Sequence, residues 1–368
     1  MKIKSIRVFQ HDLPVADGPY VMSSGPVWAL DTTLVAVTLA NGVVGWGETC
    51  PLGPTYAPAH AKGARAALEL LAPALIGASV QSPRALQRLM DVRLAGHDYA
   101  KAALEVSAYD ALGQSLGLRV VDLLGGAVCD DVPAYFAISV GDPDDMAREA
   151  AERAQEGYQR LQLKVGGRPL EVDIEAVRRV REAAGPGVRL VLDANRGLTA
   201  ADTITLSQAL RDLPLTLEQP CNTVRELAQV RPRLCHPLYM DESAVDLATV
   251  VSAAGQGLVE GFGLKLTRMG GLGPMMAARD ICRAAGLRHT CDDSWGGDIV
   301  AAACMQIAAS VAPEQLDGVW LAQPHIEGHY DPENGIRAEE GRIKLPSGPG
   351  LGLRIDPEQF GPPVAVYD

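Results

Sequence analysis

The chain reads as an α/β barrel preceded by an α+β module. Three observations predict this: alternating strands near the start, a long helical stretch from about residue 59 to residue 124, and then eight short apolar segments separated by helical patterns. Parallel neighbours need crossover connections, so eight strands joined by helices imply a parallel sheet closed on itself. At 368 residues the chain can form one large barrel or two domains that share a core.

In the first module, "KIKSIRVFQHDLP" and "TTLVAVTLANGVVGWGE" alternate apolar and polar residues as half-buried strands do, and Asn41-Gly42 predicts a type I′ hairpin turn. The segment "VADGPYVMSSGP" between them is punctuated by Gly and Pro and reads as a loop long enough to act as a lid between Val15 and Pro26. In "AKAALEVSAYDALGQSLGLRVVDLLGG", Ala103, Val106, Ala108 and Leu112 recur at helical spacing, and Gly125-Gly126 end the pattern. The expected barrel strands are "VPAYFAIS", "RLQLKVG", "RLVLDAN", "LTLEQP", "LYMDES", "GFGLKLT", "RHTCDDS" and "GVWLAQP". The turn-rich "HYDPENGIRAEEGRIKLPSGPGLGL" that follows is expected to wrap back onto the first module.

With 45 acidic against 33 basic residues the net charge is -12, which argues against binding nucleic acid or an anionic membrane and favours a small-molecule partner. "MKIKSIRVFQ" lacks the apolar core of a signal peptide, and no segment is apolar for long enough to span a bilayer, so the expectation is a soluble cytoplasmic protein. Seven cysteines without a C-x-x-C pair disfavour a zinc ribbon or a disulfide scaffold and read as free, mostly buried thiols.

In such a barrel the chemistry sits at the carboxyl ends of the strands. Strands two to eight offer Lys164, Asp193, Glu218, Asp241, Lys265, Asp293 and Trp320 there. In "LQLKVGG", Gln162 and Lys164 share one strand face, so if Leu161 and Leu163 pack against helices the lysine points into the barrel. A cation buried there needs a partner or a purpose. Asp193, Glu218 and Asp241 lie one β/α unit apart. Three carboxylates converging in a dry barrel mouth repel unless a cation sits among them, and an all-oxygen set suits Mg²⁺. They could instead cap the following helices or pair with arginines such as Arg196. Lys164 precedes this trio and Lys265 follows it, which places the two amines on opposite sides of the ion. Near a divalent cation either amine is expected to move towards a pKa at which its neutral form is accessible, although both could simply neutralise the acidic cluster.

Together with these residues, "GWGE", the "AAL…AYDALG…LLGG" helix and turn, "KLTRMGGL" and "GPGLGL" resemble the enolase superfamily over nearly the whole chain, in its muconate lactonizing enzyme and mandelate racemase branch. The resemblance implies a modified (β/α)7β TIM-like barrel with an α+β capping domain: the cap over residues 1–125, the barrel over 126–335, and a segment over 336–368 that returns to the cap. It also implies Mg²⁺ held by Asp193, Glu218 and Asp241, removal of a proton alpha to a carboxylate by Lys164 and Lys265, and a homo-oligomer. Many relatives carry K-x-K where this chain has Gln162 and Lys164, so Gln162 is expected to donate to the substrate carboxylate instead.

One lysine on each face implies inversion at carbon, and the same equipment can also eliminate a beta leaving group. On the family's template Trp320 and Tyr56 face the substrate. Two aromatic faces suit a quaternary ammonium, held by cation–π attraction, with Asp292, Asp293 and Trp295 of "CDDSWGG" completing a cage. Within the branch, the resemblance implies the particular substrate, a small-molecule carboxylate with a quaternary ammonium: proline betaine or 4-hydroxyproline betaine, epimerised at C2. The rivals are a hydroxyproline dehydratase, which would want an acid beside the nitrogen, an epimerase of dipeptides or N-acyl amino acids, and a metal-holding protein without turnover.

Overall fold

The computed structural model describes residues 1–16, 18–22 and 25–368. The cap opens with β1 (Ile3–Pro14), β2 (Tyr20–Met22), β3 (Gly25–Val27), β4 (Ala29–Leu39) and β5 (Val44–Thr49), followed by α1 (Ala61–Leu75), α2 (Pro83–Arg93), α3 (Asp98–Leu116) and α4 (Val120–Leu123). The expected lid therefore contains an antiparallel hairpin, β2 on β3; Asp17, Ser23 and Ser24 of that segment lie outside the described residues. The β4–β5 turn differs from the expected type I′. Only Gly42 takes a positive φ (87°), and the Gly42 N–H donates to the Leu39 carbonyl at 2.9 Å. This is a three-residue loop in which glycine supplies the left-handed position alone.

The "GWGE" motif now has a packing explanation. Strand β5 lies directly against α3, which is buried along most of its length. A Cβ on Gly47 would collide with the Ala103 carbonyl, and one on Gly45 with the Ser107 carbonyl. Small residues on both elements let the backbones approach closely enough to exclude water.

The barrel runs β6 (Asp131–Ile138), α5 (Pro143–Gln155), β7 (Arg160–Lys164), α6 (Leu170–Ala184), β8 (Arg189–Asp193), α7 (Ala200–Ala209), β9 (Leu215–Glu218), α8 (Val224–Val230), β10 (Leu238–Met240), α9 (Leu247–Gly255), β11 (Gly261–Lys265), α10 (Leu266–Met269), α11 (Leu272–Ala285), β12 (Arg288–Asp292), α12 (Asp298–Ala308) and β13 (Leu316–Trp320). Each strand pairs in parallel with the next, and β13 closes on β6 through Val319–Ala134 and Trp320–Tyr135. The result is the expected eight-stranded (β/α)7β barrel with a separate capping sheet. Beyond it, β14 (Ala338–Glu339) and β15 (Arg342–Lys344) form a hairpin whose second strand adds antiparallel to β6, and β16 (Ala365–Tyr367) pairs with β1 of the cap.

Two buried cap glutamates bind barrel helices at their N-termini. Glu48 accepts from the Gly297 and Val300 N–H groups at the start of α12 (2.8 and 3.1 Å), and also from Thr32 and Tyr330. Glu105 accepts from the Leu272 and Gly273 N–H groups of α11 (2.6 and 2.9 Å). The positive ends of the helix dipoles favour carboxylates there. All seven cysteines are free, five of them buried. No helix among the described residues is long and apolar enough to cross a membrane.

Candidate active site

Strand register brings the acidic trio together. Asp193 pairs with Lys164 on one side and with Glu218 on the other, and Asp241 immediately follows β10. One oxygen from each of Asp193, Glu218 and Asp241 lies within 4.8 Å of the others, and all three residues are buried. Oxygens around an octahedral Mg²⁺ sit about 3 to 4 Å apart, so a small contraction would complete such a site. The electrostatics point the same way. Burial, with Asp193 and Asp241 alongside, pushes Glu218 up to about 8, against the pull of Arg160 and Lys265. The residues present therefore fit a hard divalent cation.

Both lysines reach this cluster. The Lys164 Nζ lies 2.5 Å from Asp193 Oδ2, and the Lys265 Nζ lies 3.7 Å from Asp241 Oδ2 and 3.8 Å from Asp292 Oδ2. Their strands, β7 and β11, are four apart in a ring of eight, so the two ammonium groups enter from opposite walls. The expected drift of the amines towards neutrality is not what the carboxylates alone produce. Burial is the largest influence and opposes the charge on each lysine, but the surrounding groups together outweigh it, Asp193, Tyr20 and Glu218 for Lys164 and Asp241, Asp292 and Glu218 for Lys265, and both pKa values rise. The carboxylates dominate although buried cations already pair with them, Lys164 with Asp193 and Arg268 with Asp241 (2.6 Å).

A cavity with ≈ 350 Å³ of free space, open mouth included, lies over these groups, with Gln162, Lys164, Lys265, Tyr56, Trp295 and Trp320 in its wall. Only ≈ 30 Å³ of it admits a water-sized sphere, well below the usual size of a ligand pocket. Gln162 donates to Glu218 Oε2 at 3.0 Å, so its amide is engaged with the acidic trio as well as facing the cavity. The Tyr56 hydroxyl donates to Asp241 Oδ2 and accepts from Arg268 (both 3.2 Å). Trp295 meets Trp320 edge-on, with centroids 5.2 Å apart, and meets Tyr20 in the same way. The buried Trp320 Nε1 has no hydrogen-bond partner among the described residues.

The two aspartates expected in a cage are placed differently. Strand β12 ends at Asp292, and side chains alternate across a strand, so Asp293 faces away from the cavity. Its carboxylate accepts from the Thr267 N–H and hydroxyl and from the Ser294 N–H. Asp292 accepts from the Tyr135 hydroxyl (2.8 Å) and the Trp320 N–H (2.7 Å), beneath Lys265. Neither lines the cavity. Both hold the wall in place.

Several contributors escaped the sequence reading. Tyr135 comes from the first barrel strand, which ends in no charged residue, and Tyr20 comes from the hairpin read as a loop. Arg160 lies one layer below Gln162 on the same face, reaching Glu218 at 3.4 Å with its guanidinium 3.8 Å from the Tyr135 ring centre. Its position two residues before Gln162 was the available signal. Asn195 donates to Asp193 (2.9 Å) and Glu242 (3.1 Å). Asn195, Arg196 and Gln219, with φ of 43°, 69° and 36°, follow the strands that carry Asp193 and Glu218. Non-glycine residues in this region are strained, and such strain collects at functional sites.

Comparison with known proteins agrees with this geometry. Residues 3–125 match the family described as "Mandelate racemase / muconate lactonizing enzyme, N-terminal domain", and residues 145–359 match "Enolase C-terminal domain-like". Among characterised relatives, cis-3-hydroxy-L-proline dehydratase of Roseibium aggregatum is 37% identical over 369 residues, the full length of both chains. N-succinyl-L-Arg/Lys racemase of Bacillus cereus is 27% identical and aligns with 97% of this chain and 96% of its own. Among solved structures, an enolase superfamily member from Roseovarius nubinhibens ISM complexed with magnesium superposes with a TM-score of 0.94 at 36% identity, covering 100% of this chain and 99% of that one.

Proposed function

Because the chain belongs to the mandelate racemase/muconate lactonizing enzyme branch of the enolase superfamily, we propose that it moves the proton at the carbon alpha to the carboxylate of a small cyclic amino-acid derivative, epimerising proline betaine or 4-hydroxyproline betaine at C2. The observation that carries this reading is the pair of lysines entering from opposite walls of a small cavity that also bears five aromatic rings, those of Tyr20, Tyr56, Tyr135, Trp295 and Trp320. Asp193, Glu218 and Asp241 would hold Mg²⁺, which supplies Lewis-acid stabilisation of the charge that develops on the substrate carboxylate.

The protein's own groups do the rest. A lysine in its neutral form takes the C2 proton on its side, and the opposed lysine, as an ammonium, returns one to the other face. Tyr56, Trp295 and Trp320 orient the ring and exclude water. A quaternary nitrogen has no N–H to donate, so it asks for aromatic faces rather than an acceptor, and Asp292 and Asp293 are already committed elsewhere. A hydroxyl on the ring could accept from the unpartnered Trp320 indole N–H.

A second reading, dehydration of a hydroxyproline, is supported by the 37% identical dehydratase. There one lysine removes the C2 proton and the other protonates the departing hydroxyl. Incubation with Mg²⁺ in D₂O, followed by NMR at C2, separates the two. Exchange with inversion in L-proline betaine alone supports epimerisation. Loss of water from cis-3-hydroxy-L-proline to give a pyrroline carboxylate favours the second reading, and no exchange in any of these compounds removes both.

A further inference from the structure

We propose that Arg196 is a positioning residue that holds the Tyr56 segment of the cap on the mouth of the barrel, and so sets substrate affinity without touching the substrate. Its guanidinium donates to the Thr55 carbonyl at 3.0 Å and the Tyr56 carbonyl at 2.7 Å. No carboxylate pairs with it within ion-pair distance among the described residues, although it follows the Asp193 strand closely. The backbone conformation is what makes this reach possible. Asn195 and Arg196 are consecutive left-handed residues, and the turn is locked because the Arg196 N–H donates to the Gln219 carbonyl (2.8 Å) and the Gly197 N–H to the Ala194 carbonyl (2.7 Å). A strained turn on the barrel is thereby used to send a cation across the domain boundary.

The Tyr56 segment has few other attachments to the barrel. Its hydroxyl touches Asp241 and Arg268, while its backbone N–H bonds only locally, to the Gly53 carbonyl. Arg196 thus fixes the main chain and Arg268 the end of the ring. Tyr56 also forms part of the wall between the catalytic cavity and a larger adjoining cleft lined by Arg196, Arg268 and Glu242. Movement of this segment would change the cavity wall directly.

The effect on affinity rests on the reading of Tyr56 as a substrate contact; the attachment itself does not. Hydrogen exchange followed by mass spectrometry on the full-length protein tests the attachment in Arg196→Ala and Arg196→Lys. The expected result is about ten-fold faster exchange over residues 53–57 in Arg196→Ala, with the rest of the cap unchanged and partial recovery in Arg196→Lys. Unchanged protection in that segment would overturn the proposal. In kinetics, Arg196→Ala is expected to raise KM about ten-fold with kcat within about three-fold, and to add little in a Tyr56→Ala background. Additive losses would mean that Arg196 does not act through Tyr56. Should the wild-type protein turn over no candidate substrate, the functional reading falls and the exchange measurement alone decides the attachment.

Discussion

On the proposed mechanism each of Lys164 and Lys265 serves one face of the substrate, so the two can be separated experimentally. Replacing either with alanine should lower epimerisation by about 10³-fold. Each variant should still wash deuterium into C2 of a single enantiomer, and the two variants should prefer opposite enantiomers. Chiral chromatography with mass detection reads this directly, and equal loss of exchange from both enantiomers in both variants would contradict the assignment. Trp320→Leu should raise KM for a quaternary substrate between about 2-fold and 30-fold, the range of a desolvated cation–π contact, while leaving KM for a secondary amine nearly unchanged. Initial rates with the two substrate types check this. The lysines, the carboxylates and Trp320 were legible in the sequence because each is a polar or bulky residue at the end of an apolar strand. Asp293 misled because the strand stops one residue earlier, and a shift of one position turns a side chain to the opposite face.

At the scale of elements, the contact between β5 and α3 sets a hard limit on side-chain volume. Gly47→Ala places a methyl group against the Ala103 carbonyl and should cost about 1 to 3 kcal/mol, measured by chemical denaturation. The glutamates that cap α11 and α12 carry a pH dependence. Burial pushes Glu48 and Glu105 each up to about 7, above their ordinary value, against the hydrogen bonds that favour the charged form. The folded chain therefore retains protons that the unfolded chain has released between about pH 4.5 and 7. Each group contributes stability on the order of 3 kcal/mol that is fully present below the lower end of this window and lost as pH rises through the upper end. Glu105→Gln should flatten that part of the stability profile, as followed by thermal denaturation from pH 5 to 8. An unchanged slope would show that Glu105 titrates normally. Helix and strand order could be read from apolar periodicity, but these cross-domain caps could not, since nothing in a linear pattern says which helix N-terminus a distant glutamate will meet.

For the whole molecule, the acidic trio predicts that divalent cation and folding are coupled. Mg²⁺ at a hundred times its dissociation constant should stabilise the protein by about 2.7 kcal/mol, seen as a rise in melting temperature. Asp241→Asn should abolish that rise, and chelation should remove turnover from the wild type. Equal melting temperatures with and without Mg²⁺ would argue against the site. The barrel, its strand order and the end at which the acidic trio gathers were legible because alternating strands and helices leave few topologies open. The route of the last residues was legible only as a turn-rich return, because short strands such as β15 and β16 gain their identity from partners elsewhere in the chain.

The pairing of Ala365–Tyr367 with β1 also bears on the order of assembly. Strand Ile3–Pro14 leaves the ribosome early, yet one of its edges stays open until more than three hundred further residues have been translated. The nascent cap therefore waits beside a growing barrel with a bare strand edge, the kind of surface on which neighbouring nascent chains or chaperones act first.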